Sequence, residues 1–357
     1  MSKDTPSRHC YISRNYKDVN SAGGKAKTDI ECIMQNMGFV NLGLKRTTHK
    51  NKIVDFLLTF SGVCMAMLRL RRGDVLVLQY PVKKYYTMLC RHAHRRGVRV
   101  VTIIHDLGSF RRKKLTIPQE IKRLSDSDVV IAHNEKMLSW LKEHGLQVRL
   151  TTLGIFDYLN REDAPEVGVD LTDNNGSDGR DLMFVGSMSP SQNRFIYDLG
   201  KRLQHTKMFL YGGAFDASLA PANGSLVAKG FARDMDLITG AQGNFGLSWY
   251  GDSLDFGSGK IGEYMAYNNP HKVSLYLRCG MPVILWKEAG LASFVEREGV
   301  GLCVDSLTDI EQTLSALDDT TIAAMRRNVA RVAARIKAGK YFEEAFTNAL
   351  LLLENPD

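Results

Sequence analysis

The sequence of 357 residues is short of cysteine pairs and of long apolar runs. Its six cysteines lie far apart and form no CxxC pair, which disfavours a structural zinc site and a disulfide framework. The longest apolar segment, residues 53–70, includes Asp55, Thr59, Ser61 and Gly62, so it predicts a buried or interfacial helix rather than a membrane span. The opening residues, MSKDTPSRHC, lack the apolar core of a signal peptide, and a cytoplasmic protein is therefore expected.

Motifs for phosphate and metal binding are also missing. Gly23, Gly24 and Lys25 stand in neither GxxxxGK[ST] nor GxGxxG spacing, which disfavours an NTPase or a nicotinamide enzyme. We interpret this stretch as part of a mobile loop over a ligand cleft. The DxD triplet at residues 126–128 directly precedes an apolar strand, so it indicates a structural turn rather than a metal site.

The net charge of +8 is unevenly distributed along the chain. Residues 1–170 hold 29 Lys and Arg against 17 Asp and Glu, an excess of +12, whereas the remainder holds 18 against 22. Lys and Arg also cluster within this first part of the chain. Such clusters bind nucleic acid, anionic lipid or a phosphate-bearing substrate, or they are solvated helix faces. The absence of a zinc finger or an RNP-type aromatic signature disfavours nucleic acid. The clusters are Arg69, Arg71 and Arg72; Arg91, Arg95, Arg96 and Arg99; and Arg111, Arg112, Lys113 and Lys114.

Strand-like and helix-like segments alternate along the chain, and the alternation restarts after residue 181. Residues 160–181 are polar, acidic and rich in Gly and Asn, which is typical of a linker. The pattern predicts an α/β protein with two Rossmann-like domains facing each other across a cleft. The predicted boundaries are 1–160 for the N-terminal domain, 161–181 for the linker, 182–338 for the C-terminal domain and 339–357 for a C-terminal helix that can pack back on the first domain.

Ligands of parallel sheets gather at the carboxyl ends of the strands. His105 and Asp106 directly follow the apolar run 100–104, so either side chain is a candidate to accept a proton from an attacking hydroxyl. The alternative is a capping aspartate beside a packed histidine. Glu288 follows the apolar run 281–285 and is a candidate to face a bound ligand. The alternative is that Glu288 is an acidic residue in the first turn of a helix.

The stretch NNPHKVSLYLRCGMPVI, residues 268–284, predicts a helix over 270–279 followed by a buried strand. Asn269 can cap this helix, Pro270 suits its first turn and Gly280 suits its exit. A helix start presents free N–H groups, so His271 and Lys272 mark a spot attractive to a phosphate. The alternative is that both are solvated surface residues.

Four segments together resemble bacterial glycosyltransferases of the GT-B fold, in the branch of the galactofuranosyltransferases and of the glucosyltransferases that extend sugars on surface adhesins. The resemblance spans nearly the whole chain, and the NNPHKVSLYL block is its specific part. It implies a hexose, galactofuranose or glucose, passed from a UDP-sugar to a saccharide acceptor with inversion and without a bound metal or other cofactor. The segments are GGKAKTDIECIMQNMGF (23–39), VVTIIHDL (100–107), SDVVIAHNEKMLSWLKEHG (127–145) and GKIGEYMAYNNPHKVSLYLRCGMPVIL (259–285).

The resemblance also implies roles for particular residues. It places Lys272 and Arg194 on the diphosphate, with Arg194 in the loop that follows Gly186, and it places Tyr211 near the base or ribose. By their positions alone, His271 at the helix start and Glu288 after the strand are assigned to the donor site, and Gly23-Gly24-Lys25 to a loop on the acceptor side. A lipid-linked acceptor, docking on an anionic membrane surface and a homo-oligomer stay open, as do a retaining transferase and a non-catalytic partner subunit.

Overall fold

The computed structural model describes residues 7–16, 22–82, 85–111, 115–160 and 179–355. The chain divides into two compact units. Unit 1 combines Met1–Asp157 with Gly339–Asp357, and unit 2 is Tyr158–Ala338. Of the predicted linker 161–181, residues 161–178 lie outside the described residues.

Unit 1 is built on a six-stranded sheet whose strands pair in parallel. Its central strands consist mostly of buried Val, Ile and Leu, as expected for a parallel sheet covered on both faces. The elements are β1 (His9–Tyr11), α1 (Ala22–Asn36), β2 (Val40–Asn41), α2 (Lys52–Arg69), β3 (Val75–Tyr80), α3 (Tyr86–Arg95), β4 (Arg99–Ile104), α4 (Gly108–Arg111), α5 (Ile117–Leu124), β5 (Val129–Ala132), α6 (Glu135–Glu143) and β6 (Arg149–Thr152). Their order in the sheet is β2-β1-β3-β4-β5-β6.

Unit 2 repeats the βα alternation around a second parallel sheet. Its elements are β7 (Leu182–Val185), α7 (Pro190–Asn193), α8 (Phe195–Gly200), β8 (Met208–Tyr211), β9 (Leu226–Gly230), α9 (Asp234–Gly240), β10 (Phe245–Ser248), α10 (Gly259–Met265), α11 (His271–Arg278), β11 (Val283–Trp286), α12 (Ala292–Glu298), β12 (Gly301–Val304), α13 (Ile310–Ser315) and α14 (Asp319–Lys337). The chain then returns to unit 1 as α15 (Lys340–Glu354).

The strand order of unit 2, β12-β11-β10-β7-β8-β9, places β7 next to β10 although two strands separate them in the chain. The connections therefore leave β7 and β10 toward opposite sides of the sheet, which opens a crevice at their carboxyl ends. Unit 1 has the same feature between β1 and β3, because β2 lies on the far side of β1. These two switch points are where a ligand is expected in each unit.

Helix α15 is held on unit 1 through its first turn. The carboxylate of Asp157 accepts hydrogen bonds from the backbone N–H groups of Tyr341 and Phe342 at 3.2 and 2.8 Å. It thereby satisfies two of the N–H groups that a helix start leaves without partners. Gly339, just before the helix, has φ 74°, and a Cβ there would lie 2.7 Å from Cγ1 of Ile33. A glycine is therefore required where the chain re-enters unit 1.

Helix α11 is clamped over the switch point of unit 2 by Tyr276. The phenol oxygen of Tyr276 accepts a hydrogen bond from Val185 N at 2.9 Å and donates one to Leu247 O at 3.0 Å, so it bridges β7 and β10. The ring lies directly on Gly246, where a Cβ would fall 2.2 Å from Cγ of Tyr276. The missing side chain of Gly246 is what lets the helix approach the sheet this closely.

We expect Gly246→Ala to lower the free energy of unfolding by about 1–3 kcal/mol, since an added methyl group cannot fit without displacing Tyr276 and α11. Urea denaturation measures this change. Gly240→Ala is the matched control, because a Cβ at Gly240 has no heavy atom within 4 Å. An equal loss of stability in both variants would contradict the clamp.

Candidate active site

Lys272 lies one turn before Tyr276 on the same face of α11, which brings its side chain to the switch point of unit 2. Its Nζ atom is 4.2 Å from the centroid of the Phe184 ring and 4.1 Å from that of Tyr250. Nζ is buried, and among the described residues no atom forms a hydrogen bond with it. Burial lowers the pKa of Lys272 to about 7. The two ring faces offset part of the cost of burying this amine, and a bound anion would offset more.

Glycine residues leave space in front of the amine. A Cβ at Gly186 would lie 3.8 Å from Nζ of Lys272, and Gly186 has φ 149°. Its backbone N–H donates to Tyr211 O at 2.9 Å, which ties the loop after β7 to the end of β8. Gly212 then passes so close that a Cβ there would fall 2.0 Å from Gly186 O. The close packing of these loops leaves a glycine-lined surface beside a buried cation.

The other predicted site residues of unit 2 lie in loops and at a strand end outside the Lys272 pocket. The Tyr211 hydroxyl accepts a hydrogen bond from Gln242 N at 2.8 Å, and burial raises the pKa of Tyr211. Arg194 lies between α7 and α8, is exposed, and has its Nε 3.5 Å from Oδ2 of Asp198. Glu288 is exposed in the turn after β11. The structure thus brings Lys272, Gly186 and the backbone of Tyr211 together, whereas Arg194 and Glu288 lie on the loops around them.

The start of α11 differs from the prediction by one residue. The predicted cap, Asn269, is wrong: Pro270 is the N-cap residue, with φ −63° and ψ 122°, and the helix begins at His271. Proline supplies no side-chain acceptor, so it does not cap the first N–H groups as asparagine would. The His271 ring stacks on Tyr158, with 4.7 Å between centroids.

In unit 1, His105 is oriented by its neighbours at the end of β4. Its Nε2 lies 2.7 Å from Oε1 of Gln79, whose amide nitrogen donates to Lys27 O at 3.3 Å. This amide orientation makes His105 Nε2 the donor, so Nδ1 is the acceptor of the neutral ring. The ring also stacks on Phe156, with 5.4 Å between centroids and 15° between planes. His105 is therefore fixed in one orientation and one tautomer.

Asp106 lies in the loop after β4, and the buried carboxylate of Glu120 holds the far end of this loop. Glu120 is fully buried and accepts hydrogen bonds from Gly108 N and Ser109 N, both at 2.8 Å, and from the Tyr80 hydroxyl at 2.9 Å. The half-buried Asp106 lies between this anchor and His105. Glu120 is not predicted from the sequence: the capping box at the start of α5 places it in a helix, but only the fold brings it to this loop.

Gly23, Gly24 and Lys25 lie in the first turn of α1, so the predicted mobile loop is wrong at these positions. Lys25 and Asp29 form a buried ion pair one turn apart, with Nζ 2.6 Å from Oδ2. Two glycines lower the intrinsic helix propensity, but the ion pair and the burial of the helix face against the sheet outweigh this cost. Residues 17–21 of the predicted loop lie outside the described residues.

In the part of the chain that the structure describes, no helix is long and apolar enough to cross a membrane. No group of three or more His, Cys, Asp or Glu side chains in the same residues is arranged to hold a metal ion.

We expect Lys272→Met to raise the stability of the protein, most strongly at low pH. Below pH 7 the wild-type amine is charged and buried; between pH 7 and its ordinary pKa of 10.5 only the unfolded chain keeps the proton, so wild-type stability rises with pH. The advantage of the variant should shrink by roughly 3 kcal/mol from pH 6 to pH 9. Urea denaturation at both pH values measures the stability difference between the variant and the wild-type protein, with the exposed Lys201→Met as control. A difference that does not change with pH would contradict the lowered pKa of Lys272.

Models of one protein family match both units. The model described as Glucosyltransferase 3-like, N-terminal domain, matches residues 9–155, and that of the C-terminal domain matches residues 182–349. The chain is 28% identical over 342 residues to the Beta-1,6-galactofuranosyltransferase WbbI of Escherichia coli (strain K12), covering 94% of this chain and 95% of the relative. It is 21% identical over 356 residues to Glucosyltransferase 3 of Streptococcus parasanguinis, covering 95% and 97%.

Solved structures agree on the fold. Sucrose-phosphate synthase from Thermosynechococcus elongatus superposes with a TM-score of 0.60 at 12% identity, covering 98% of each chain. WaaG, a glycosyltransferase involved in lipopolysaccharide biosynthesis, gives a TM-score of 0.54 at 12% identity, covering 94% of this chain and 98% of its own. The predicted GT-B fold with two Rossmann-like domains is confirmed by these structures and by the two parallel sheets. The protein is a GT-B glycosyltransferase and belongs to the Glucosyltransferase 3-like family.

Proposed function

We propose that the protein transfers a hexose, galactofuranose or glucose, from a UDP-sugar to a saccharide acceptor. The observation that carries this proposal is the buried amine of Lys272 beside the glycine-lined loops of unit 2. The amine has no hydrogen-bond acceptor among the described residues, and the anionic oxygens of a nucleotide diphosphate would supply one. The names of the relatives, a galactofuranosyltransferase and a glucosyltransferase, support the two choices of sugar.

Lys272 is proposed to stabilise the leaving group. When the bond between the anomeric carbon and the diphosphate breaks, negative charge develops on the diphosphate oxygen that leaves. A protonated amine held there in advance lowers the energy of this state, and it acts more strongly in a dry, apolar site than in water. Because a side-chain cation can offset the charge, we propose that transfer needs neither a bound metal nor another cofactor, with Arg194 and the start of α11 assisting.

Asp106 is proposed as the general base of an inverting reaction. Inversion in a single displacement requires that the acceptor hydroxyl lose its proton as it attacks the anomeric carbon, and a carboxylate can take that proton. The loop of Asp106 is anchored by Glu120 on one side and by the Gln79–His105 pair on the other. His105 is the second candidate, because its Nδ1 is the acceptor of the ring.

The acceptor is proposed to be lipid-linked, in the synthesis of a surface polysaccharide or glycoprotein at the cytoplasmic face of a membrane. The excess of +12 in residues 1–170 supports this choice, since it would attract a lipid diphosphate and its anionic surroundings. Of the cluster predicted for membrane contact, Arg112, Lys113, Lys114 and the side chain of Arg111 lie outside the described residues.

Binding of UDP should draw close to one proton from solution at pH 8. The amine of Lys272 is then mostly neutral, and a bound diphosphate should raise its pKa and recharge it. Calorimetry in two buffers of different ionisation enthalpy measures this uptake, with a chelator present to test the metal-free proposal. Lys272→Arg should bind UDP without proton uptake, because a guanidinium stays charged. Undiminished uptake in the arginine variant, or loss of binding with the chelator, would contradict the proposal.

Asp106→Asn should lower sugar transfer by roughly 10²–10⁴-fold while leaving UDP affinity at the wild-type value, since a general base acts only in the chemical step. Transfer is measured with a panel of UDP-sugars and a saccharide acceptor, and the anomer of the product by NMR. Asp126→Asn, which alters a surface pair with Arg91, is the matched control. If Asp106→Asn transfers the sugar normally and His105→Gln does not, the base is His105. A product with the same anomeric configuration as the donor sugar would refute inversion.

A further inference from the structure

Helix α2 has apolar side chains on the face that points away from unit 1. Its inner face consists of Asp55, Gly62, Val63 and Ala66, all buried. On the outer face, Ile53, Leu57 and Leu68 are 70%, 54% and 76% exposed, and Phe60 between them is 46% exposed. Their spacing of 4, 3 and 8 residues keeps them on one side of the helix. A surface helix normally carries polar residues there, so α2 is apolar on its solvent side. We call these four residues the outer stripe.

The stripe is more than a scatter of single exposed residues. The Phe60 ring stacks parallel to Phe56, with 6.2 Å between centroids and 8° between planes. The stripe runs from Ile53 to Leu68, so it extends along about 24 Å of the helix. Exposed apolar surfaces of this extent mark contact sites rather than ordinary protein surface.

Cations stand at both ends of the stripe. Residues 45–73 contain seven Lys or Arg and a single acid, Asp55, which is buried on the inner face. Lys50 and Lys52 are exposed at the start of α2, and Arg69, Arg71 and Arg72 are exposed at its end. The nearby Asp74 is paired with Arg8 at 2.7 Å, so it does not neutralise them. An exposed apolar helix face can enter a membrane surface, and Lys and Arg beside it are attracted to anionic lipid.

We propose that the outer stripe of α2 docks this enzyme on an anionic lipid surface, with the helix parallel to the membrane plane. The stripe residues enter the boundary between headgroups and acyl chains, and the flanking Lys and Arg contact anionic headgroups. A second copy of the chain fits this surface poorly, because two faces with the same cations would repel each other. The docking needs neither donor nor acceptor, so it can be tested apart from the proposed function.

Flotation of the full chain with lipid vesicles tests the docking, using phosphatidylcholine alone and phosphatidylcholine with phosphatidylglycerol. The wild-type protein should bind the anionic vesicles at least about a hundredfold more tightly, and the difference should shrink as salt rises. Lys50→Gln, Lys52→Gln, Arg71→Gln and Arg72→Gln in one chain should remove this preference and its salt dependence.

Ile53→Ser with Leu57→Ser should weaken binding to anionic vesicles by about tenfold or more at any salt concentration, because two inserted apolar side chains are lost. The matched control is Phe231→Ser with Leu351→Ser, which removes two exposed apolar side chains, 78% and 52% exposed, from other surfaces. The control should bind vesicles like the wild-type protein. Turnover on a water-soluble acceptor should be equal in all variants, which separates lost docking from a damaged active site.

Three results would overturn the docking surface. The first is equal affinity of the wild-type protein for neutral and anionic vesicles, or none for either. The second is an equal loss of vesicle binding in the control pair, which would mean that binding depends on exposed apolar side chains anywhere on the surface. The third is a wild-type dimer in light scattering that Ile53→Ser with Leu57→Ser dissociates, because the stripe would then bind a second copy. Absence of sugar transfer, by contrast, would refute the proposed function and leave the docking result standing.

Discussion

The position of α11 over the end of its sheet is the constraint on which the surroundings of Lys272 depend. Tyr276 bridges β7 and β10 through one hydroxyl, and Gly246 supplies the room for its ring. One turn earlier, the same helix face carries Lys272 into an aromatic pocket. A helix that packed farther from the sheet would leave this amine in water, with an ordinary pKa and no strong demand for an anion.

Buried charges elsewhere in the molecule show why Lys272 stands out. Glu120 accepts three hydrogen bonds from the loop after β4 and one from Tyr80 of β3. Glu31 accepts from Ser13, Tyr16 and Arg46. Burial raises the pKa of Glu31, and its partners act against that rise. These carboxylates fasten loops to helices and are satisfied by the fold itself. The Lys272 amine has two ring faces and no hydrogen-bond acceptor among the described residues, which is the condition expected of a ligand-binding group.

The two units differ in charge. Unit 1 holds 29 Lys and Arg against 17 Asp and Glu, whereas unit 2, which contains Lys272, holds 18 against 22. A basic unit suits an acceptor presented at an anionic surface, and a nucleotide site needs only a few well-placed cations. The exposed cations beside α2 and the buried lysine of α11 therefore differ electrostatically: the interactions of the first are screened by salt, whereas those of the second are screened much less.

The sequence by itself determined the βα alternation, the approximate start of α11 and the placement of His105, Asp106 and Lys272 at strand or helix ends, because periodicity and turn residues are local. It did not predict that α1 begins at Ala22, since the Lys25–Asp29 pair and the packing against the sheet outweigh two glycines. Phe184 and Tyr250 as walls of the Lys272 pocket, and Glu120 as the anchor of the Asp106 loop, were decided only by the tertiary structure. Each of these contacts joins residues from different strands and loops, and only the order of strands in the sheet brings such residues together.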